Sequence, residues 1–414
     1  MTDRVIVVGA SHGGAQAVAS LRDGGFEGEI VLIGDEIRPP YHRPPLSKAY
    51  LKEPSEGISP LRGESYYAEQ SIELRLGETV TAIDPSTKTV TLASGDALEY
   101  GSLILSLGAR VRKPNMAGAD AEGVFYMRTA DDSDALRASL DGSETIVVVG
   151  GGFIGLEAAA TARQLGKSVI VLEAADRLMG RAVAPAISDY FAEQHRAAGI
   201  DIRLSTPLKA IRTDGHRATG VEFGEGEIVD AATILIGIGV IPNVELAEAA
   251  GLSCSNGIAV DAFTRTSDPS IYAIGDCANF TFFKSGQPIR LESVQNATDQ
   301  ARVAAAAILG KDQPYEEAPW FWSDQADLKL QMAGLGAGAD RYVLRGDPAD
   351  GKFSVAHVAD DQIIAVDSVD AAGDHMVFRK LLGGDELPTP DNMADTDFDL
   401  RAFFKAVQKK ARGG

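Results

Sequence analysis

Cysteine is nearly absent from this chain. Cys254 and Cys277 are the only two in 414 residues, and they form neither a Cys-x-x-Cys nor a Cys-x4-Cys unit. That spacing argues against a disulfide framework, a zinc site or an iron–sulfur cluster within the chain. The six histidines are scattered, with no pair at metal-ligand spacing. No apolar run approaches the roughly 18 residues of a membrane span. The N-terminus lacks the basic start, apolar stretch and small-residue site of a secretory signal. A cytoplasmic protein without a membrane partner is therefore expected. Excess positive charge is lacking too. Lysine and arginine total 39 against 59 acids, a net charge of −20, which argues against nucleic acid and anionic membranes as partners.

What is present is globular. Hydrophobic residues make up 45% and charged residues 24%, the proportions of a folded soluble protein. The length exceeds one ordinary core, so two or three domains are expected.

Two strand–turn–helix–strand units stand out. In the first, Val5–Val8 reads as a strand, Gly9-Ala10-Ser11-His12-Gly13-Gly14 as a glycine-rich turn and Ala15–Leu21 as helix. Ile30–Ile33 is a second strand, and Asp35 follows it. In the second, Thr145–Val149 leads into Gly150-Gly151-Gly152-Phe153-Ile154-Gly155, then an alanine-rich helix, then Ser168–Leu172, closed by Glu173. The second turn is the full G-x-G-x-x-G fingerprint in its required context. Its first glycine makes the tight turn, the second admits a pyrophosphate against the backbone, and the third lets helix and strand pack closely. A helix N-terminus there favours negative charge. A carboxylate at Glu173 would accept hydrogen bonds from a ribose diol and repel a 2′-phosphate, favouring NAD over NADP, although Arg177 is close by. The first turn departs from the pattern, with Ser11 in place of the middle glycine.

Between the two units runs Arg38-Pro39-Pro40-Tyr41-His42-Arg43-Pro44-Pro45-Leu46-Ser47-Lys48, whose prolines predict an extended path. Leu103–Leu107 and Ile234–Ile238 read as buried strands ending in glycine, and residues 319 onward as a separate α+β part with a basic terminal helix.

At Arg43-Pro44-Pro45-Leu46-Ser47-Lys48 the pattern becomes specific. With Gly150, Gly152 and Gly155, Thr266–Asp276 and Pro319-Trp320-Phe321-Trp322-Ser323-Asp324-Gln325, the chain resembles the FAD-dependent NADH:ferredoxin reductases of bacterial oxygenase systems, over nearly its whole length. The resemblance implies an α/β protein with two Rossmann-like dinucleotide-binding domains of the glutathione-reductase-like kind, plus a C-terminal α+β domain. It places a discontinuous FAD domain at 1–111 and 234–318, an NAD domain at 112–233 and a C-terminal domain at 319–414.

It also implies roles. Gly9, Ser11, Gly13 and Gly14 would hold the FAD pyrophosphate and Asp35 its adenosine ribose. Val80, Ala109, Arg43 and Arg128 would contact FAD, Asp276 its ribityl chain, and Val294 the pyrimidine end of the flavin. Lys48 and Trp320 would lie beside the flavin ring. Gly150, Gly152, Ile154, Gly155 and Glu173 would bind NADH, with Glu157 on the nicotinamide side. Chemistry would then turn on Lys48, Glu157 and Trp320. Each also has a structural reading: Lys48 as a solvated lysine, Trp320 as core, Glu157 as an exposed acid in a helix's first turns, Asp276 as the cap of a helix starting at Cys277.

The implied reaction is hydride transfer from NADH to FAD, then single-electron transfer to a [2Fe–2S] ferredoxin that serves a cytochrome P450 or a ring-hydroxylating oxygenase. An acidic enzyme needs a local basic surface to attract an acidic ferredoxin. Arg302 and the terminal Arg401, Lys405, Lys409, Lys410 and Arg412 are candidates, in a monomer or weak dimer. Disulfide reductases share the two-dinucleotide fold but need a redox cysteine pair near the flavin, and residues 1–253 hold no cysteine. An NADH-binding signalling flavoprotein of the apoptosis-inducing-factor type is the alternative from another class.

Overall fold

The computed structural model describes residues 3–63 and 65–413, the last three as backbone only. The chain divides into two compact units. One comprises Met1–His42, Ile58–Arg110 and Val240–Glu317, and the other Arg43–Gly57, Val111–Gly239 and Ala318–Gly414.

The first unit is built on a five-stranded parallel sheet in the order Ile271–Ala273, Ser102–Leu105, Arg4–Val8, Glu29–Gly34, Ile72–Leu76. The central strand Arg4–Val8 shows why its sequence is an unbroken apolar run. Val5 and Val7 enter the core beneath the helices His12–Asp23 and Val294–Ile308, while Ile6 and Val8 enter the core on the opposite face. Both faces are buried, as parallel sheets require. The opposite face is covered by a small antiparallel sheet, Val80–Asp84, Thr89–Leu92 and Ala97–Glu99.

The second unit repeats the theme. Its parallel sheet runs Ile200–Arg203, Ser168–Leu172, Thr145–Val149, Thr233–Ile236, Val124–Phe125. A three-stranded antiparallel sheet, Leu208–Asp214, Arg217–Phe223 and Glu227–Asp230, packs on it. The C-terminal part is a five-stranded antiparallel sheet covered by the helices Ala372–Leu381, Pro390–Ala394 and Leu400–Gly413.

Three expectations need correction. The return to the first sheet does not begin at residue 234. Ile234 pairs with Val147 and Leu235 with Val148, and the first unit resumes at Val240. A fully buried parallel strand reads alike in either sheet, so composition could not assign it.

Nor is the proline-rich segment extended throughout. Pro44–Ser47 forms a 3-10 turn with proline in its first positions, and Ala49–Lys52 a short α-helix. Proline's fixed φ suits a helical first turn, where no N–H is needed. This segment, Arg43–Gly57, clusters with the second unit because its backbone is tied there. The Arg43 guanidinium donates to Arg128 O at 2.7 Å, Ser133 Oγ to Leu46 O at 2.7 Å and Thr161 Oγ1 to Ser47 O at 2.8 Å.

Finally, no helix starts at Cys277. Gly275–Cys277 is a single 3-10 turn that enters the strand Ala278–Thr281.

Candidate functional site

The two glycine turns are built alike. Gly9 has φ +108° and Gly150 φ +107°, left-handed geometry that only glycine adopts without strain. A Cβ on Gly9 would lie 2.0 Å from Ser106 O, and one on Gly150 2.4 Å from Gly237 O. The third positions match as well. A Cβ on Gly14 would lie 2.0 Å from Gly9 O, and one on Gly155 2.3 Å from Gly150 O. These glycines are what allow each helix to start directly behind its strand.

The middle positions differ. Gly152 caps the helix Phe153–Gln164, and a Cβ there would meet no described atom within 4 Å. The backbone is bare on that side, as a pyrophosphate at a helix N-terminus requires. Ser11 caps the helix His12–Asp23 in the same extended conformation. At Gly13, just inside that helix, the missing Cβ makes room for Ser106 Oγ, which would lie 2.7 Å from it. Both turns therefore fit a dinucleotide.

The acids that follow are not equivalent. In register, Val149 pairs with Leu172 and Val8 with Ile33, so Glu173 corresponds to Gly34 and Asp35 lies one residue further on. Glu173 accepts hydrogen bonds from Gly151 N at 2.6 Å and Ala175 N at 2.7 Å, which fixes its carboxylate at the turn. Gly34 is glycine because a Cβ would strike Ala10 Cβ at 2.5 Å. Asp35 is exposed beyond it. Arg177 is committed elsewhere: its guanidinium donates to Val183 O at 2.7 Å, to Ser188 Oγ at 3.1 Å and to Gly180 O. The cation that could have welcomed a 2′-phosphate is thus engaged in its own loop.

Of the other positions that the resemblance singled out in the first unit, Val80 opens the first strand of the small antiparallel sheet and is buried, as is Ala109. Asp276 occupies the 3-10 turn after Ile271–Ala273, and Val294 is the first residue of the helix Val294–Ile308, capped by Ser293. Asp276 and Val294 are half-buried.

The second unit contains the most developed polar cluster. Glu157, 5% exposed, is on the helix that starts at the second turn. Its Oε2 accepts from Lys48 Nζ at 2.7 Å and Ser47 Oγ at 2.6 Å, and its Oε1 from Ser323 Oγ at 2.7 Å. Neither residue is the solvated surface group that its structural reading offered. A buried ion pair persists only when paired and hydrogen-bonded, and this carboxylate is both. Ile154, by contrast, is an exposed apolar residue in the helix's first turn. Arg128 donates its backbone N–H to Asp132, whose carboxylate completes a capping box with Thr129.

Period-two alternation sorts the strand Trp320–Gln325 into two faces. Phe321, Ser323 and Gln325 face the dinucleotide helix: the Phe321 ring lies 4.9 Å from Phe153, and Ser323 and Gln325 are fully buried. Trp320 and Trp322 stack on the other side, with the Arg379 guanidinium 3.8 Å over the Trp320 ring. Trp320 is half-buried and packs against the C-terminal core. Ser47, Ser323, Gln325 and Ser106 were not singled out from the sequence. The alternation of the Trp-Phe-Trp-Ser-Asp-Gln motif was the available signal for the middle two.

Neither cysteine sits where a thiolate is favoured. Cys277 is buried, and burial pushes its thiol up to about 11. Burial also raises Cys254. Among the described residues no helix is long and apolar enough to cross a membrane, and no acid–histidine–cysteine group could hold a metal. Arg302 is exposed but ion-paired to Asp299, one turn earlier on its helix. The basic helix is not a loose tail: Phe403, Phe404 and Val407 pack against the C-terminal core, while Lys405 and Lys409 are exposed. Lys410 pairs with Glu386 at 2.9 Å. The side chain of Arg412 lies outside the described residues.

Two parallel sheets, each opening a glycine turn at the start of a helix, define an oxidoreductase that binds two dinucleotides. Sequence comparison agrees: residues 3–301 match the pyridine nucleotide-disulphide oxidoreductase family, and residues 320–404 match Reductase C-terminal. The chain belongs to the pyridine nucleotide-disulphide oxidoreductase family. It is 45% identical to rhodocoxin reductase of Rhodococcus erythropolis, over 96% of this chain and 93% of that one. It is 41% identical to putidaredoxin reductase CamA of Pseudomonas putida, over 98% of each. The crystal structure of a ferredoxin reductase from Rhodopseudomonas palustris superposes with a TM-score of 0.95 at 46% identity, covering 97% of this chain and 100% of that one.

Proposed function

We propose that the chain is an NADH:ferredoxin reductase. It holds FAD at the Gly9 turn and NADH at the Gly150 turn, and it delivers electrons singly to a [2Fe–2S] ferredoxin of an oxygenase system, whether of the cytochrome P450 or the ring-hydroxylating kind. The observation that carries this reading is the pairing of two dinucleotide cradles with the lack of a redox cysteine pair: the two cysteines, Cys254 and Cys277, are 23 residues apart in sequence, and both are free thiols. Electrons that reach the protein have no internal disulfide to reduce, so they leave for an external acceptor. Relatives named for ferredoxins, rhodocoxin and putidaredoxin among them, support that acceptor class.

Bound FAD supplies what nicotinamide lacks, the ability to take two electrons together and release them one at a time. The chain's own residues bind and orient. Each helix N-terminus presents N–H groups to a pyrophosphate. Asp35, Val80, Ala109, Asp276 and Val294 serve the FAD of the first turn, with Arg43 and Arg128 as further contacts, and Lys48 and Trp320 serve its ring. Glu157 orients the nicotinamide. Glu173 takes the NADH ribose, and Glu173→Ser should cut the NADH-over-NADPH ratio of kcat/KM by about tenfold, the value of one hydrogen bond to a charged group. An unchanged ratio would remove Glu173 from cofactor choice.

For docking we infer that the exposed Lys405 and Lys409 carry the attraction, while Arg302 is partly neutralised by Asp299. The test is NADH-driven reduction of an added [2Fe–2S] ferredoxin by wild type and by a Lys405→Glu/Lys409→Glu variant. Charge reversal leaves the apolar face of the helix in place. The variant's KM for ferredoxin should rise several-fold at low salt, and the difference should vanish at high salt. Equal KM values at low salt would eliminate this helix. Failure of the wild type to reduce any of a panel of such ferredoxins would overturn the function.

A further inference from the structure

Behind Glu157 lies a buried polar chain that the reaction just described does not use. Ser323 Oγ is 2.7 Å from Glu157 Oε1. Gln325 Nε2 is 3.2 Å from Ser323 Oγ and 3.5 Å from Met179 Sδ. Gln325 Oε1 is 2.7 Å from His195 Nε2. Ser323 and Gln325 are fully buried, and His195 is 2% exposed. The four residues come from three separate elements: the helix behind the Gly150 turn, the strand Trp320–Gln325, and the helix Pro185–Ala197.

The direction of this chain follows from its end. A carboxylate paired with the Lys48 ammonium can only accept, so the single Ser323 hydroxyl proton goes to Glu157. Ser323 Oγ must then accept, and the Gln325 amide N–H is its donor. That turns the Gln325 carbonyl toward His195, which must carry its proton on Nε2. The opposite amide orientation would set a carbonyl oxygen against Met179 Sδ and against a hydroxyl whose proton is already committed. Every donor therefore points toward Glu157. Burial lowers the His195 pKa, which favours the neutral ring, and its Nε2–H is the proton that it gives to the relay.

We propose that His195, Gln325 and Ser323 form a one-way hydrogen-bond relay that fixes the orientation of the Glu157 carboxylate, and that they are positioning residues for the reaction with NADH. A carboxylate held from both oxygens cannot rotate, and the two oxygens are held differently: Oε2 by Lys48 and Ser47, Oε1 by the relay. Hydrogen bonds in a buried network reinforce one another, and losing one member strands the rest. The kinetic part of this proposal rests on Glu157 acting on the nicotinamide side.

Two measurements on the FAD-loaded full chain test it. In the first, NMR of the protein labelled with 15N-histidine should show His195 as the neutral Nε2–H tautomer, its resonance identified by its loss in His195→Gln. The Nδ1–H tautomer, or a doubly protonated ring at neutral pH, would overturn the relay. In the second, stopped-flow reduction by NADH, Ser323→Ala and Gln325→Leu should each lower the limiting rate about tenfold without moving half-saturation. The double variant should be no slower than Ser323→Ala alone, because the relay passes through that hydroxyl. Unchanged single-variant rates, or effects that multiply, would overturn it. If Gln325→Leu does not fold, Ser323→Ala and the tautomer decide the matter. Glu157→Gln separates the two ideas. If it leaves reduction by NADH unchanged, the role of Glu157 falls, and the relay stands or falls on the tautomer.

Discussion

Lys48→Met is expected to destabilise the protein by about 3 kcal/mol and to slow its reduction by NADH by about a hundredfold. The stability loss follows from what the substitution strands. Glu157 is 5% exposed, and without the ammonium its charge keeps two serine hydroxyls but loses its ion-pair partner, Lys48. Breaking a buried pair from one side costs about 3–5 kcal/mol. The lower end applies because the Lys48 side chain keeps 20% exposure. The companion variant, Lys48→Met/Glu157→Leu, should recover most of that stability, since an apolar replacement of both partners is often neutral. The rate loss follows from the proposed place of Lys48 beside the flavin ring: its removal takes a fixed positive charge from the reacting centre, an effect worth about a hundredfold when one preorganised group is deleted. The double variant should stay slow while regaining stability. Urea unfolding followed alongside stopped-flow reduction separates the two effects. A stable, fast Lys48→Met protein would show that this ion pair does neither job.

That pair also marks where the sequence could be read and where it could not. The Gly150 turn is legible because its parts are local: strand, turn and helix follow one another without a break from Thr145 to Gln164, and the third glycine answers to the backbone of the first. The neighbours of Glu157 are not local. Ser47, Ser323 and Lys48 reach it from positions 109 to 166 residues away, and no period in the sequence announces such a meeting. One clue was there. The stretch Leu156-Glu157-Ala158-Ala159-Ala160 has apolar residues on every side of its helix, and all of these are buried. A helix apolar all round is buried all round, so an acid within it could not be a solvated first-turn residue. The errors have physical reasons too. At Pro44 and Pro45 the prolines predict an extended path, yet their fixed φ serves a helical first turn equally well. Composition cannot assign Thr233–Ile236 to one sheet or the other, because any strand buried on both faces reads alike.

The paired turns set up the other large effect. Gly155→Ala and Gly152→Ser are expected to fail differently, although they sit three residues apart in one motif. At Gly155 a Cβ would press on Gly150 O at 2.3 Å. Backbone cannot yield there without moving the helix off its strand, so the second unit should lose stability along with its hold on NADH. At Gly152 a Cβ meets no described protein atom within 4 Å, and serine is a good N-cap. The fold should therefore be unaffected. The first unit already carries Ser11 at the same cap position, which shows that the backbone accepts a side chain there. On the proposed reading, the side chain would occupy the space that the NADH pyrophosphate needs. NADH half-saturation should rise by up to about a hundredfold, as misplacement by an ångström can cost. Thermal unfolding and the FAD content of the purified protein should match wild type. Titration with NADH, read with thermal unfolding of both variants, decides this. Gly152→Ser binding NADH as wild type does would mean that the pyrophosphate does not lie against that cap.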